Sequence, residues 1–307
     1  MMLPKLVLLL AVIGLCTASY PTSIFYCGFG GDFCGQSTAD DVNPNAEFII
    51  LAFVNTNADG SITVDDANFP TDLTKAWQAK GKKVIISVGG QNGNWNYVFG
   101  SSSTISTFVA SVAATLQKYG LDGVDLDIES YNATPRTVAN AIIDLKKAIG
   151  SKLIIVSPED VAVYQGTTVP DADTGGQAFN YFVNIVNLAD SSIDFYQPQA
   201  YNNWYDGETG GSLRYLQDVY ENWRNLQGTG QWDTPLANYN GIDGKKLLIG
   251  TLASPTAGVA GYYATPENIA AFKSWLAANN HELKGFMLWD SHWDALNGFA
   301  VSNACGA

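Results

Sequence analysis

Histidine is almost missing from this chain. His281 and His292 are the only two among 307 residues, and neither has Cys, His or carboxylate neighbours at metal-ligand spacing. A zinc centre or a histidine-based triad has little to be built from, and no metal or cofactor is expected. Basic residues are scarce as well: 16 Lys and Arg face 29 Asp and Glu, a formal net charge of −13. That balance excludes nucleic acid and anionic membrane surfaces as partners. An uncharged polymer carries no such penalty. Long apolar runs are absent apart from Leu6–Leu15, which follows Lys5 and precedes Cys16-Thr17-Ala18. The run is too short to span a bilayer. A basic start, an apolar centre and small residues at the end read as a secretory signal over residues 1–18, cut after Ala18. The mature chain, 19–307, is expected to be exported and monomeric. Cysteine is sparse: Cys27, Cys34 and Cys305 remain after the cut. In an oxidising compartment the first two are close enough in sequence to form a disulfide across a short loop. Cys305 is left over in a small-residue tail, and is expected to be a free thiol in a frayed terminus.

What is present is a core and an alternation. Hydrophobic residues make up 47% of the chain, and no repeat, charge run or low-complexity linker divides it. Expected strands are Ser23–Phe29, Phe48–Val54, Val84–Val88, Leu121–Ile128, Lys152–Ser157, Ile193–Tyr201, Lys246–Thr251 and Gly285–Trp289. Between them fall helix-like segments: Thr71–Lys80, Thr104–Tyr119, Pro135–Ile149, Gln177–Ala189, Leu213–Gln227 and Pro266–Asn279. Pro135 and Pro266 each follow a Thr, the pairing of N-cap and first helical residue. Strands that alternate with helices predict a single-domain (β/α)8 TIM barrel. A doubly wound open sheet would carry a Gly-rich phosphate turn after its first strand, and Phe29-Gly30-Gly31-Asp32-Phe33 does not match it. In a barrel the site lies at the C-terminal strand ends.

The fourth strand ends in the stretch on which the function turns, Asp122-Gly123-Val124-Asp125-Leu126-Asp127-Ile128-Glu129. Acidic and apolar residues alternate with period two, so a strand puts Asp125, Asp127 and Glu129 on one face and Val124, Leu126 and Ile128 on the other. Carboxyls on one face lie roughly 6.5–7 Å apart. With both faces covered they cannot all ionise, and at least one is pushed to stay protonated.

Asp-Gly-x-Asp-x-Asp-x-Glu at a strand end resembles the signature of glycoside hydrolase family 18, the chitinases. Ser87-Val88-Gly89-Gly90 resembles the family's Ser-x-Gly-Gly element, and Gln199-Ala200-Tyr201-Asn202 its Gln-x-Tyr-Asn variant. Trp289, at the end of Gly285-Phe286-Met287-Leu288-Trp289, matches the family's Trp under the scissile sugar. The resemblance covers nearly the whole mature chain. It implies Glu129 as general acid/base, with Asp127, Asp125 and Tyr201 as its catalytic partners. Ser87 would hydrogen-bond to Asp125. Sugar contacts are implied for Tyr26, Phe53, Gly90, Gln199, Asn202 and Trp289, and non-proline cis peptides at Ala52–Phe53 and Trp289–Asp290. Trp95 and Trp204 are candidates for further subsites. Glu159, in Ser157-Pro158-Glu159-Asp160, is expected as an exposed rim carboxylate. Thr251 to Lys284 leaves room for one loop and one helix, so the small α+β domain that many members insert there is not expected.

The implied activity is endo-acting cleavage of chitin, retaining and assisted by the substrate's own acetamido group, an exception to the two-carboxylate scheme. The implied partner is chitin or another N-acetylglucosamine oligosaccharide. Two alternatives stay open: an endo-β-N-acetylglucosaminidase acting on N-glycans, and a catalytically weak chitin-binding lectin.

Overall fold

The computed structural model describes residues 20–28, 37–163, 171–173, 180–203, 210–225 and 239–306. Eight strands run parallel: β1 (Thr22–Tyr26), β2 (Ala46–Val54), β3 (Lys83–Gly89), β4 (Gly123–Asp127), β5 (Leu153–Val156), β6 (Phe195–Tyr196), β7 (Leu248–Leu252) and β8 (Gly285–Trp289). Strands neighbour one another in chain order and β8 pairs with β1. Two bridges, Tyr196 to Leu247 and Gln199 to Gly250, join the β6 and β7 segments and close the barrel. The helices are α1 (Thr71–Ala79), α2 (Asn96–Phe99), α3 (Ser102–Tyr119), α4 (Pro135–Ile149), α5 (Tyr181–Ala189), α6 (Leu213–Asn225), α7 (Pro266–Ala278), α8 (Ser291–Leu296) and α9 (Ala300–Gly306). The fold is the (β/α)8 barrel that the alternation predicts.

Period two sorts the strand residues into two cores. Ile49, Leu51, Val84, Ile86, Val124, Leu126 and Ile128 face outward, and pack with helix residues such as Phe108, Val112 and Ile142. Phe25, Phe48, Ile50, Ile85, Ile155, Leu248 and Met287 fill the barrel interior. The caps that start two helices are those read from the sequence: Thr134 accepts from the Thr137 N–H before Pro135, and Thr265 from the Asn268 N–H before Pro266. Between β7 and β8 stand only a short turn of helix and α7, with no inserted domain.

Several expectations need correcting. The sixth strand is two residues long rather than the span 193–201, because Pro198 has no N–H to give the ladder. Helix α3 begins at Ser102, since Ser101 caps it by accepting from the Thr104 N–H. Cys305 does not lie in a frayed tail: it is fully buried in α9, a helix packed on α7. Its thiol is free, and burial holds its pKa well above the usual value. Ala52–Phe53 and Trp289–Asp290 are both cis. The expected signal over 1–18, the Cys34 half of the Cys27–Cys34 pair, and Trp204 lie outside the described residues.

Candidate active site

The first two residues of the acidic motif set its position. Asp122 accepts from the Val84 N–H at 3.0 Å and from the Gln78 amide at 2.9 Å, which pins the start of β4 against β3 and α1. A Cβ at Gly123 would lie 2.4 Å from the Leu153 carbonyl oxygen, so only glycine lets β5 approach here. From this anchor the period-two pattern turns Asp125 and Asp127 into the barrel and Glu129 to its mouth. Asp125 is fully buried and Asp127 nearly so, while Glu129 is half-buried.

Each acid has its own partners. Asp125 accepts from the Ser87 hydroxyl at 2.6 Å, as the resemblance implied. It also accepts from Ser157 at 2.5 Å and the Gln197 amide at 3.4 Å. Gln197 is held in turn by the Ser23 hydroxyl, which donates to its Oε1 at 2.9 Å. The Gln199 amide nitrogen reaches Asp127 Oδ1 at 3.0 Å and Glu129 Oε1 at 3.2 Å. One amide therefore bridges the two carboxyls and holds them side by side at the mouth. From the far side, the Gly90 N–H and the Trp95 indole both donate to the Asp127 carbonyl oxygen, at 3.1 and 2.9 Å. Gly89, with φ +114°, permits this approach: a Cβ there would meet that oxygen at 2.2 Å.

The acids open into a cleft of about 570 Å³. Phe53, Trp289, Tyr201, Gln199, Asn202 and Glu159 line it beside Asp127 and Glu129. Asn55, Asn57, Thr63, Gln91 and Asn92 add polar side chains to the lining. The floor is aromatic: Phe53 stacks on Trp289 with centroids 5.8 Å apart, and Phe25 meets Trp289 edge-on at 5.3 Å. Asp290 fixes the chain beyond Trp289 by accepting from the Trp293 N–H, which caps α8.

Three of the expected residues do not line the cleft. Tyr26 turns outward and packs against Trp77 of α1, with centroids 5.1 Å apart. Its neighbour Phe25 is the β1 residue that reaches the floor; Ile24-Phe25-Tyr26 is apolar throughout, so no alternation marks which side chains point inward. Trp95 is buried under β4 and stacks on Phe99 at 5.4 Å, a buttress and not a subsite. Gly90 does not line the cleft; with φ +77°, it makes room for the Phe53 ring, 2.9 Å from where its Cβ would be. Asn202 lines the cleft but also anchors the loop after β7, its Oδ1 accepting from the Val259 N–H at 2.8 Å. Glu159 is not the exposed rim group expected. It is half-buried, and the Tyr131 phenol donates to it. Ser157 and Gln197 were not among the expected site residues. Their signal was polar side chains at inward strand positions.

Burial without cations sets the electrostatics. Among the described residues the cleft lining holds no Lys, Arg or His. Desolvation pushes Asp125 up to about 7 against the lowering hydrogen bonds from Ser157, Ser87 and Gln197. Asp127 is raised well above the carboxylate range, by burial first and then by the charges of Glu129 and Asp125. Burial likewise raises Glu129, with the Glu159 charge adding to it. Tyr201 is held protonated by burial and by the acids it faces.

These shifts carry a stability cost with a definite sign. An acid raised in the folded state holds a proton that the unfolded chain has lost, so its stabilising contribution fades as pH rises through the folded pKa. For Asp125 the window runs from its ordinary 3.8 to about 7. Asp125→Asn should flatten the loss of stability across that window by up to about 1.4 kcal/mol per pH unit. Urea midpoints at several pH values would check it, and an unchanged slope would mean that Asp125 is ionised throughout.

Similarity to known proteins agrees with the geometry. The barrel superimposes on a family GH18 chitinase from Chromobacterium violaceum with a TM-score of 0.75, over 94% of this chain and 83% of that one, at 23% identity. Chitinase ChiA of Flavobacterium johnsoniae is 26% identical over 72% of this chain. An endo-beta-N-acetylglucosaminidase of a Flavobacterium species is 30% identical over 55% of it. This chain spans 16% and 59% of the length of those two relatives. Residues 30–257 match the profile of the glycosyl hydrolases family 18, and that match, over most of a barrel with the acids at its mouth, makes the chain a member of that family.

Proposed function

We propose that this protein is an exported endo-acting chitinase that cleaves β-1,4 bonds between N-acetylglucosamine units with retention of configuration. The observation that carries the reading is the Asp127–Glu129 pair, bridged by the Gln199 amide in the cleft that the Phe53–Trp289 floor and Tyr201 also line. An aromatic floor suits the apolar face of a pyranose. Glu129 gives its proton to the glycosidic oxygen as the substrate's acetamido oxygen attacks C1 and the C1–O bond breaks. Asp127 accepts from the acetamide N–H and balances the positive charge of the oxazolinium ion. Tyr201 donates to the acetamido oxygen and keeps it in line with C1. Asp125 lies below, and its charge state sets how firmly Asp127 holds its proton. Water then attacks C1, breaks its bond to the acetamido oxygen and loses a proton to Glu129, which restores both the amide and the acid.

A second reading is favoured by the similarity to the Flavobacterium endo-beta-N-acetylglucosaminidase. The same acids would cut between two N-acetylglucosamine residues of an N-glycan, and the loops around the cleft would choose the substrate. Chitin oligomers and a high-mannose glycoprotein, each incubated with the protein and read by product mass, separate the two. Shortened chitin oligomers support the first reading and released high-mannose glycan the second. Neither product would sink both.

A further inference from the structure

A carboxylate outside the acidic motif faces the same cleft. Glu159 follows β5, and its backbone is paired with Gln199 in a parallel bridge, where the Gln199 N–H donates to the Pro158 carbonyl at 2.8 Å. Its side chain is held by the phenol of Tyr131, two residues beyond Glu129. Tyr131 is itself braced from behind. Its ring meets Tyr181 of α5 edge-on at 5.0 Å, and the Tyr181 hydroxyl donates to the Ala133 carbonyl at 2.7 Å. A long, flexible carboxylate at the mouth of a barrel is thereby fixed beside Glu129, between the segments after β4 and β6.

We propose that Glu159, clamped by Tyr131, is a positioning residue for the acid step. Held by that clamp in the cleft that Glu129 also lines, its carboxyl group acts on the acid across the space they share and favours return of the proton once it has been given away. This rests on the reading of Glu129 as the acid. Burial keeps the Tyr131 proton in place, so the phenol stays a donor to Glu159. Glu129 faces Asp125 and Asp127 from β4, Tyr131 from the segment after it, Glu159 from beyond β5 and Tyr201 from beyond β6, with Asp290 below the floor. The lining holds no cation among the described residues to offset this set. Burial is the larger cause of the rise at Glu129, and Glu159 works with it against the hydrogen bonds from Gln199 and Asp127. Asp127 cannot do this alone, because in the proposed reaction it acts on the acetamide.

The test compares wild type with Glu159→Gln, Glu159→Asp and Tyr131→Phe by two readouts. One is the carboxyl carbon titration of Glu129 in protein labelled at glutamate, its signal identified by loss in Glu129→Gln. The other is the pH profile of kcat/KM on an N-acetylglucosamine hexamer. Glu159→Gln should move both the Glu129 titration and the alkaline limb down by about one pH unit. Glu159→Asp keeps the charge and should leave the limb near its wild-type place. Tyr131→Phe should shift it in the same direction as Glu159→Gln, by less. A Glu129 titration unmoved in Glu159→Gln overturns the proposal. So does loss of turnover at every pH with that titration unchanged, which would make Glu159 a direct participant. If wild type cuts no oligomer, the chitinase reading falls, while the titration still decides whether Glu159 acts on Glu129.

Discussion

Glu129→Gln is expected to abolish turnover and leave oligosaccharide binding nearly intact. The amide matches the carboxyl in shape, and its oxygen can still accept from Gln199, which reaches Glu129 Oε1 at 3.2 Å. The Phe53–Trp289 floor, where a sugar ring would stack, is untouched. What is lost is a proton that can be transferred. General acid catalysis contributes about 10²–10⁴-fold, and a group that serves as acid and then as base is needed twice in one cycle. The fold should not suffer, because Glu129 is half-buried and its carboxyl is raised by burial, so a neutral amide removes a desolvation cost. Turnover on a chitin hexamer and binding followed by tryptophan fluorescence from Trp289 would separate the two effects. A variant that kept most of its rate would remove Glu129 from the acid role.

The acidic motif was legible because burial on both faces enforces its alternation. Once Val124, Leu126 and Ile128 must meet the helices, Asp125, Asp127 and Glu129 have one direction left. The same rule fails on β1, where Ile24, Phe25 and Tyr26 suit either core, and only the register with β2 and β8 turns Phe25 inward. Trp95 reads as a loop aromatic until the Asp127 carbonyl oxygen is seen waiting for its indole N–H, 32 residues away. Glu159 depends on a partner at similar distance, Tyr131, and on the backbone pairing that brings β5 beside β6. Cys305 stands among small residues that carry no helical pattern, and its burial comes from α9 packing on α7. In each case the missing information is a contact between segments far apart in sequence. Local period cannot carry it. The support beneath Asp125 is of the same kind: Ser87, Ser157 and Gln197 converge from β3 and from the segments after β5 and β6.

Cleavage is expected to require an acetyl group on the sugar at the non-reducing side of the broken bond. If the acetamido oxygen is the nucleophile, a chain without it has nothing to attack C1, however well it binds. Fully deacetylated chitosan, cellulose and xylan should be inert. Partly acetylated chitosan should be cut only after an acetylated unit. The residues that support this are those suited to orient an amide: Asp127 as acceptor for its N–H, and Tyr201, held protonated by burial and the neighbouring acids, as donor to its oxygen. A plain hydroxyl offers no acceptor of comparable strength to that phenol and no N–H to that carboxylate. Glu159 is the other carboxylate in the lining near Glu129, and the Tyr131 phenol already occupies one of its oxygens. Were it the nucleophile instead, in the two-carboxylate manner of other retaining glycosidases, deacetylated units would be cut as readily as acetylated ones. Sequencing the new reducing ends from partly acetylated chitosan decides between them. Acetylated ends alone support the substrate-assisted route, and glucosamine ends at the frequency of the starting polymer rule it out.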